Sequence, residues 1–75
     1  MEVYTAVLTE GGNITEIVGV FSDLTLSFTA LKERMEEQWE FWNEDDTLYP
    51  EFNESGLDIT ISESPVGGYI QTWSV

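Results

Sequence analysis

The feature of this sequence that most constrains its fold is a stripe of apolar side chains with helical spacing. The stripe recurs at intervals of three and four residues and consists of Leu24, Phe28, Leu31 and Met35. Such spacing places the side chains on one face of an α-helix. Ser22 or Asp23 can cap the first turn, and Trp39 and Trp42 continue the stripe. We therefore predict a helix from about Asp23 to Trp39 or Trp42.

Two strand-like segments precede this helix. Residues 3–9 and 14–21 are rich in β-branched and aromatic types, and the turn sequence Glu10-Gly11-Gly12-Asn13 joins them. Alternating strand formers around such a turn are typical of a β-hairpin.

Strand patterns return after the helix. Residues 57–63 alternate apolar and polar types, which predicts that Leu57, Ile59 and Ile61 face the core. Residues 64–68 contain Pro and two Gly, and they predict a turn into a last strand at residues 69–75.

Residues 43–55 have no period and contain Pro50, Asn53 and Ser55. We predict an irregular connection there. A loop of that length in a small domain is a candidate for contact with a partner.

The order β-β-α-β-β predicts an α+β fold of two layers, with an antiparallel sheet of about four strands and one helix on one face. A chain of 75 residues has room for a single domain, residues 1–75. Because one sheet face stays uncovered, we expect aromatic side chains that point away from the helix to be partly exposed or to meet a second copy. A homodimer is therefore allowed. The candidates are Tyr4, Phe21, Tyr69 and Trp73.

Charge is the most unusual property of the composition. Fifteen Asp and Glu oppose only Lys32 and Arg34, for a formal net charge of −13. Hydrophobic residues make up 41% of the chain, enough for a folded core. Nucleic acids and anionic membranes repel such a charge, so we expect a basic protein as the partner. The alternative is that the acids serve solubility alone, as in proteins of a high-salt cytoplasm.

The location of the protein is predicted from what the sequence lacks. There is no Cys, so no disulfide braces the domain, which favours a reducing compartment. No apolar run approaches the roughly 20 residues that span a bilayer, and the first residues resemble a strand more than a basic signal peptide. We expect a cytoplasmic protein.

Catalysis is disfavoured by the available side chains. The chain has no His and no Cys, and two basic residues cannot form a cluster that holds a phosphate or an oxyanion. Carboxylates alone can hydrolyse glycosides, but that chemistry needs a deep pocket. We predict a protein that is not an enzyme and has no cofactor.

A calcium loop is a further alternative. Asn43, Asp45, Thr47, Glu51 and Glu54 fall at positions 1, 3, 5, 9 and 12 of a twelve-residue calcium-binding pattern. Leu48 occupies the sixth position, where the pattern requires Gly. We therefore predict no dedicated metal site.

A run of carboxylates with aromatic neighbours is the candidate partner-binding site. The predicted phosphate surrogates are Glu33, Glu36, Glu37, Glu40, Glu44, Asp45 and Asp46. The predicted aromatic anchors are Trp42, Tyr49 and Phe52. If helical, the run from Glu33 to Glu44 spans roughly 17 Å, with carboxylates about 4 Å apart along the axis. One DNA strand carries a phosphate about every 3.4 Å. The run could therefore occupy the basic groove of a DNA-binding protein.

The same residues also have a purely structural interpretation. Charges on a helix most often form its solvated face, and Lys32 with Glu36 or Arg34 with Glu37 could form weak surface pairs. Trp39 and Trp42 continue the apolar stripe, which favours the core for both.

The segment Ile17-Val18-Gly19-Val20-Phe21-Ser22, together with Val3-Tyr4, resembles small phage and bacterial domains of unknown function in which a first hairpin ends in a Gly-Val-Phe-Ser-like turn into a helix. Size and charge resemble the small acidic proteins that phages make to inhibit host enzymes. These include DNA mimics that block restriction, repair, CRISPR or nucleoid proteins. This second resemblance implies an anti-host or anti-defence role and assigns no role to any residue.

The hypothesis from the sequence is therefore a non-enzymatic inhibitor or modulator. It would bind a basic, nucleic-acid-binding host protein by presenting an acidic surface. The alternative is a small interaction module that docks through aromatic residues or a sheet edge, with acidity serving solubility.

Overall fold

The computed structural model describes residues 1–43 and 49–75. These residues form an α+β fold in which one helix packs on an antiparallel sheet. The elements in chain order are β1 (Glu2–Glu10), β2 (Asn13–Phe21), α1 (Leu24–Trp42), β3 (Phe52–Ser55), β4 (Asp58–Ile61) and β5 (Val66–Ser74).

The sheet has the order β2-β1-β5-β4-β3, so the two chain termini lie on its two central long strands. Strand β1 pairs along its whole length with β5, from Glu2 opposite Ser74 to Glu10 opposite Val66. On its other side β1 pairs with β2, with irregularities in register that leave two bulges. Bulges of this kind distort an exposed edge strand and so disfavour its pairing with a strand of another chain.

The predicted N-terminal hairpin is confirmed. Its two-residue connection is Gly11-Gly12, with φ of 60° and 86°. Both values lie in the left-handed region that a tight hairpin turn of the I′ type requires, and Gly adopts it without a Cβ clash.

The prediction of about four strands was wrong by one, because β3 lies within the predicted loop. Asn53 and Ser55 are poor strand formers, but β3 pairs with β4 from Phe52 opposite Ile61 to Ser55 opposite Asp58. Tertiary pairing overrides weak local preference here. The predicted turn at residues 64–68 was also too long, since β5 already begins at Val66.

The helix is confirmed over Leu24–Trp42. The Asp23 side chain accepts a hydrogen bond from the Leu26 backbone N–H at 3.1 Å and so caps the first turn. No helix in the described part of the chain is long and apolar enough to cross a membrane.

The core lies between the helix and one face of the sheet. Leu31 and Met35 are fully buried from the helix side, and Leu24, Phe28 and Trp39 pack around them. The predicted apolar stripe is therefore the helix face that contacts the sheet. The sheet contributes Ala6, Leu8, Ile59, Ile61, Val66 and Ile70.

Two expectations about side-chain placement need correction. Leu57 lies in the turn before β4 and is exposed, whereas Ile59 and Ile61 are buried as predicted. Tyr4 and Phe21 pack against the core on the helix side. The strand patterns could not show this, because the bulges between β1 and β2 change which residues of β2 share a face.

The helix lies close to the sheet at Gly68. A Cβ built on Gly68 would lie 2.7 Å from Leu31 Cδ1 and 2.8 Å from the backbone oxygen of Val7. Gly68 therefore leaves the space that Leu31 fills. The neighbouring Gly67 faces the other side of the sheet, where a Cβ would meet Thr9 Oγ1 at 3.2 Å.

We expect Gly68→Ala to lower the free energy of unfolding by about 1–3 kcal/mol, because the added methyl overpacks the contact between helix and sheet. Gly67→Ala is the matched control and should cost clearly less. Urea denaturation followed by circular dichroism measures both. Equal losses for the two variants would contradict the assigned role of Gly68.

Candidate functional site

Four carboxylates lie together on the outer surface of α1. At 3.6 residues per turn, Glu33, Glu36, Glu37 and Glu40 fall within about 100° of arc, opposite Leu31 and Met35. All four are exposed. We call these four residues the acidic ridge.

The ridge carboxylates are three, one and three residues apart in sequence, or about 4.5, 1.5 and 4.5 Å apart along the helix axis. Glu33 and Glu40 are seven residues apart, or about 10 Å along the axis, so consecutive carboxylates are about 3.5 Å apart on average. This is close to the phosphate spacing of about 3.4 Å along one DNA strand. The helix ends at Trp42, one of the two predicted ends, so the described helical part of the predicted run extends from Glu33 to Glu40. Glu44, Asp45 and Asp46 lie outside the described residues.

Both cations of the chain are used to hold the helix to the sheet. Arg34 Nε donates to Glu16 Oε2 on β2 at 2.9 Å. Lys32 forms an ion pair with Glu54 on β3. Strands β2 and β3 are the two edges of the sheet, so one clamp lies on each side of the helix.

Among the described residues, these clamps leave the ridge with one long contact to a cation. Lys32 pairs across to β3 instead of with Glu36, so that predicted pair was wrong. The predicted contact of Arg34 with Glu37 is present but long, at 3.8 Å. Within residues 1–43 and 49–75, Glu33, Glu36 and Glu40 form no ion pair.

The ridge is electrostatically unfavourable for the isolated protein. Glu33 with Glu37 and Glu36 with Glu40 are like charges at i,i+4, which oppose helix formation. The last turn of α1 has no basic residue, so acids stand near the partial negative charge of the helix C-terminus. A cation brought by a partner would relieve both effects.

Exposed aromatic rings stand at the end of the ridge. Phe41 and Trp42 meet edge to face, with ring centroids 5.4 Å apart, and they are 76% and 60% exposed. Tyr49 is 86% exposed. Trp42 therefore lies outside the core, contrary to the structural interpretation of the stripe, because the helix extends beyond the part that the sheet covers. Trp39, one turn earlier, packs against the core.

One predicted aromatic anchor lies away from the exposed rings, and one exposed ring was not predicted. Phe52 is half-buried on β3 and packs against the core, so it stands apart from the exposed rings. Phe41 was not predicted as a site residue. The sequence did contain an indication of its exposure. Phe41 follows Glu40 and does not belong to the apolar stripe, so a helix over this segment directs its ring away from the core.

The calcium pattern finds no support in the described residues. Glu54, its twelfth position, pairs with Lys32. Across residues 1–43 and 49–75 there is no group of three or more His, Cys, Asp or Glu that could hold a metal ion. Asp45 and Thr47 lie outside the described residues.

Tyr4 on β1 has a raised pKa, and it lies apart from the ridge. Its hydroxyl donates to Glu2 Oε2 at 3.1 Å, which raises the pKa of Tyr4. Burial and the charges of Glu2 and Asp23 add to the increase. The phenol therefore stays protonated at neutral pH and is not prepared to act as a base or nucleophile.

The opposite face of the sheet is almost free of charge. Strand alternation and register place Val3, Thr5 and Val7 of β1 there, with Tyr69, Gln71 and Trp73 of β5 opposite them. Strand β2 adds Ile14, Ile17 and Val20. Among the described residues of the five strands, Asp58 on β4 is the charged one on this side. We call this side the open face. The carboxylates are thus distributed unevenly around the molecule.

The chain matches no family model, no curated protein and no solved structure.

We expect neutralisation of the ridge to stabilise the protein. The variant Glu33→Gln, Glu36→Gln and Glu40→Gln removes like-charge repulsion and acids near the helix C-terminus, and it should raise Tm by about 5 °C at low salt. Thermal unfolding at low and high salt measures the effect. The gain should shrink as salt rises, because salt screens the repulsion in the parent protein. An unchanged or lower Tm at low salt would show that the ridge carries no such cost.

Proposed function

We propose that this protein is a non-enzymatic inhibitor or modulator that binds a basic, nucleic-acid-binding protein. The acidic ridge takes the place of a stretch of nucleic-acid backbone. The observation that carries the proposal is the alignment of Glu33, Glu36, Glu37 and Glu40 along the outer helix surface, with both cations of the chain directed to the sheet.

The spacing of the ridge suits this role. Carboxylates that average about 3.5 Å apart along the axis offer a row of negative charge whose mean axial density is close to that of phosphates on one strand. A helix clamped on both sides presents them with little loss of conformational freedom on binding, which favours affinity. Four charges also steer a basic partner during encounter.

The cost of the ridge to the free protein supports a binding role. Repulsion between ridge acids lowers stability, and the shortest ion pairs of the two cations are with acids on the sheet, whereas Arg34 lies 3.8 Å from Glu37 of the ridge. Acids retained at the expense of stability are typical of functional sites, where activity and stability oppose each other.

Phe41 and Trp42 complete the proposed site. Large exposed rings beside charged groups supply much of the binding energy in protein interfaces. In this proposal the ridge selects a basic surface, and the rings fill an apolar recess next to it. Glu44, Asp45 and Asp46 follow directly in sequence and are proposed to extend the acidic surface.

The cellular setting remains part of the proposal. A basic partner of this kind fits a cytoplasmic inhibitor, and the acidic character resembles phage proteins that act against host enzymes or defences. The partner class proposed here is therefore a host DNA- or RNA-binding protein.

The first test is capture from cytoplasmic extract with the full chain immobilised. We expect recovery of a nucleic-acid-binding protein that salt releases steeply and that added duplex DNA or RNA displaces, because both act on the same basic surface. The variant Glu33→Gln, Glu36→Gln and Glu40→Gln should lose this capture.

The matched control changes net charge by the same three units elsewhere. The variant Glu2→Gln, Glu51→Gln and Asp58→Asn neutralises three exposed acids outside the ridge, and it should keep most of the capture. Equal losses for the two variants would assign binding to bulk charge instead of the ridge. Partners that are neutral or acidic and insensitive to salt would overturn the proposal.

A second candidate function rests on the exposed ring pair. Phe41 and Trp42 form an apolar end to the helix that the core leaves uncovered. An interaction module that docks through these rings, with acidity serving solubility, would use the same end of the molecule without nucleic-acid mimicry.

The two functions predict opposite mutational patterns. If docking depends on the rings, Phe41→Ala with Trp42→Ala should weaken binding by about 100-fold, whereas the ridge variant should change it by less than about threefold. If mimicry operates, the ridge variant should cause the larger loss. Isothermal titration with the purified partner at two salt concentrations separates the two. Both variants need a circular dichroism spectrum like that of the parent.

A further inference from the structure

The open face is the one broad side of the sheet that helix α1 does not cover. At its centre Val7 is only 2% exposed, although no helix lies over it. Its register partners are Ile17 on β2 and Tyr69 on β5. Side chains on the sheet itself therefore shield Val7, and the outer rim of this apolar patch stays in contact with solvent.

Large apolar side chains form that rim. Ile17 is 56% exposed, and Ile14 and Val20 are similarly open along β2. Trp73 on β5 is 50% exposed. Contiguous exposed apolar surface of this kind marks an interaction site more often than scattered single residues do.

Charge decides which occupant fits the face. The chain carries −13 overall, yet the described strands place a single acid, Asp58, on this side. A basic partner would find almost no charge to pair with here. A second copy carries the same negative net charge, so electrostatic repulsion between two copies is smallest where the surface carries the fewest acids, which is at this face. Thr5, Thr9 and Gln71 can exchange hydrogen bonds with the same groups of another copy.

We propose that two copies of this chain associate through the open face, sheet against sheet, to form a symmetric dimer. A two-fold axis brings the same surface of each copy together, so apolar side chains meet apolar side chains. Two sheets packed in this way lie about 10 Å apart, with strands inclined by roughly 30°.

The available area suits a reversible dimer. Strands β1, β2 and β5 each have nine residues. Around a two-fold axis through β1, these three strands overlap the same three strands of the other copy and give a plan area of roughly 430 Å² per copy, from about 3.3 Å per residue and 4.8 Å per strand. Two copies would bury roughly 860 Å², which is the size of weak, transient interfaces, below about 1,200 Å².

The dimer separates the negative charges of the two copies. With a layer spacing of about 10 Å, the two acidic ridges point outward in opposite directions and lie more than about 30 Å apart. That separation exceeds three Debye lengths of about 8 Å at physiological salt. Asp58 stands two strands from β1, or about 10 Å, so an axis through β1 keeps the two copies of Asp58 about 20 Å apart.

Salt should affect this association in the opposite direction from the proposed partner binding. Self-association brings together two copies of like net charge, so screening by salt should strengthen it. Binding to a basic protein loses attraction with salt and should weaken. Self-association and binding to a basic partner are therefore tested by separate measurements, and a negative result for one does not contradict the other.

Sedimentation equilibrium of the full chain tests the dimer. From about 10 µM to 1 mM protein, we expect a reversible monomer–dimer equilibrium whose Kd falls several-fold between about 0.1 M and 1 M NaCl. A monomer over this whole range at both salt concentrations would overturn the proposal. A Kd that rises with salt would also overturn it.

A pair of matched variants locates the interface. Ile17→Glu places a carboxylate on the open face and should raise the dimer Kd by about tenfold or more, because like charges would meet across the two-fold axis. Leu26→Glu adds the same charge at a helix residue of similar exposure, 59% against 56% for Ile17. It should leave the dimer Kd within about threefold. Equal effects of the two variants would place the interface elsewhere.

Two further variants guard against misfolding and distinguish the two proposals. Val20→Glu tests the same face at another exposed position, and thermal unfolding of each variant verifies the fold. The ridge variant Glu33→Gln, Glu36→Gln and Glu40→Gln should dimerise as tightly as the parent or more tightly. Loss of the dimer in the ridge variant would assign self-association to the helix and overturn the proposed interface.

Discussion

The contact between Leu31 and the backbone at Gly68 is the constraint on which the rest of this structure depends. Because Gly68 has no side chain, the helix can approach the sheet until Leu31 lies over β5 beside Val7 of β1. This approach encloses Leu31 and Met35 completely. In a helix, burial of one face determines which residues point outward, and here those are the ridge carboxylates.

The use of the two cations follows from the same contact. Once the helix lies across the sheet, Lys32 and Arg34 project to its two sides and meet acids on the edge strands. These partly exposed pairs contribute modestly to stability, and they leave Arg34 at 3.8 Å from Glu37 of the ridge. The charge of the protein is thereby concentrated on the helix side, and the other face of the sheet stays nearly neutral.

Local patterns were sufficient for much of this fold. The hairpin at Gly11-Gly12, the helix capped by Asp23 and the buried stripe through Leu31 all follow from short-range spacing and turn chemistry. Strand β3 did not, since its residues are weak strand formers that depend on pairing with β4. Gly67 and Gly68 resembled a turn for a similar reason. A glycine that makes room for a helix is indistinguishable by local pattern from one that turns the chain.

The sequence by itself determined the excess of carboxylates, the lack of His and Cys and the helix that carries the ridge. These depend on residue identity and on periodicity along a few turns. The tertiary structure decided where the two cations are engaged, that Trp42 is exposed while Phe52 packs against the core, and that one sheet face is almost uncharged. Each of these depends on which segments, distant in sequence, become neighbours in the sheet. Strand order and the bulges between β1 and β2 determine those neighbours.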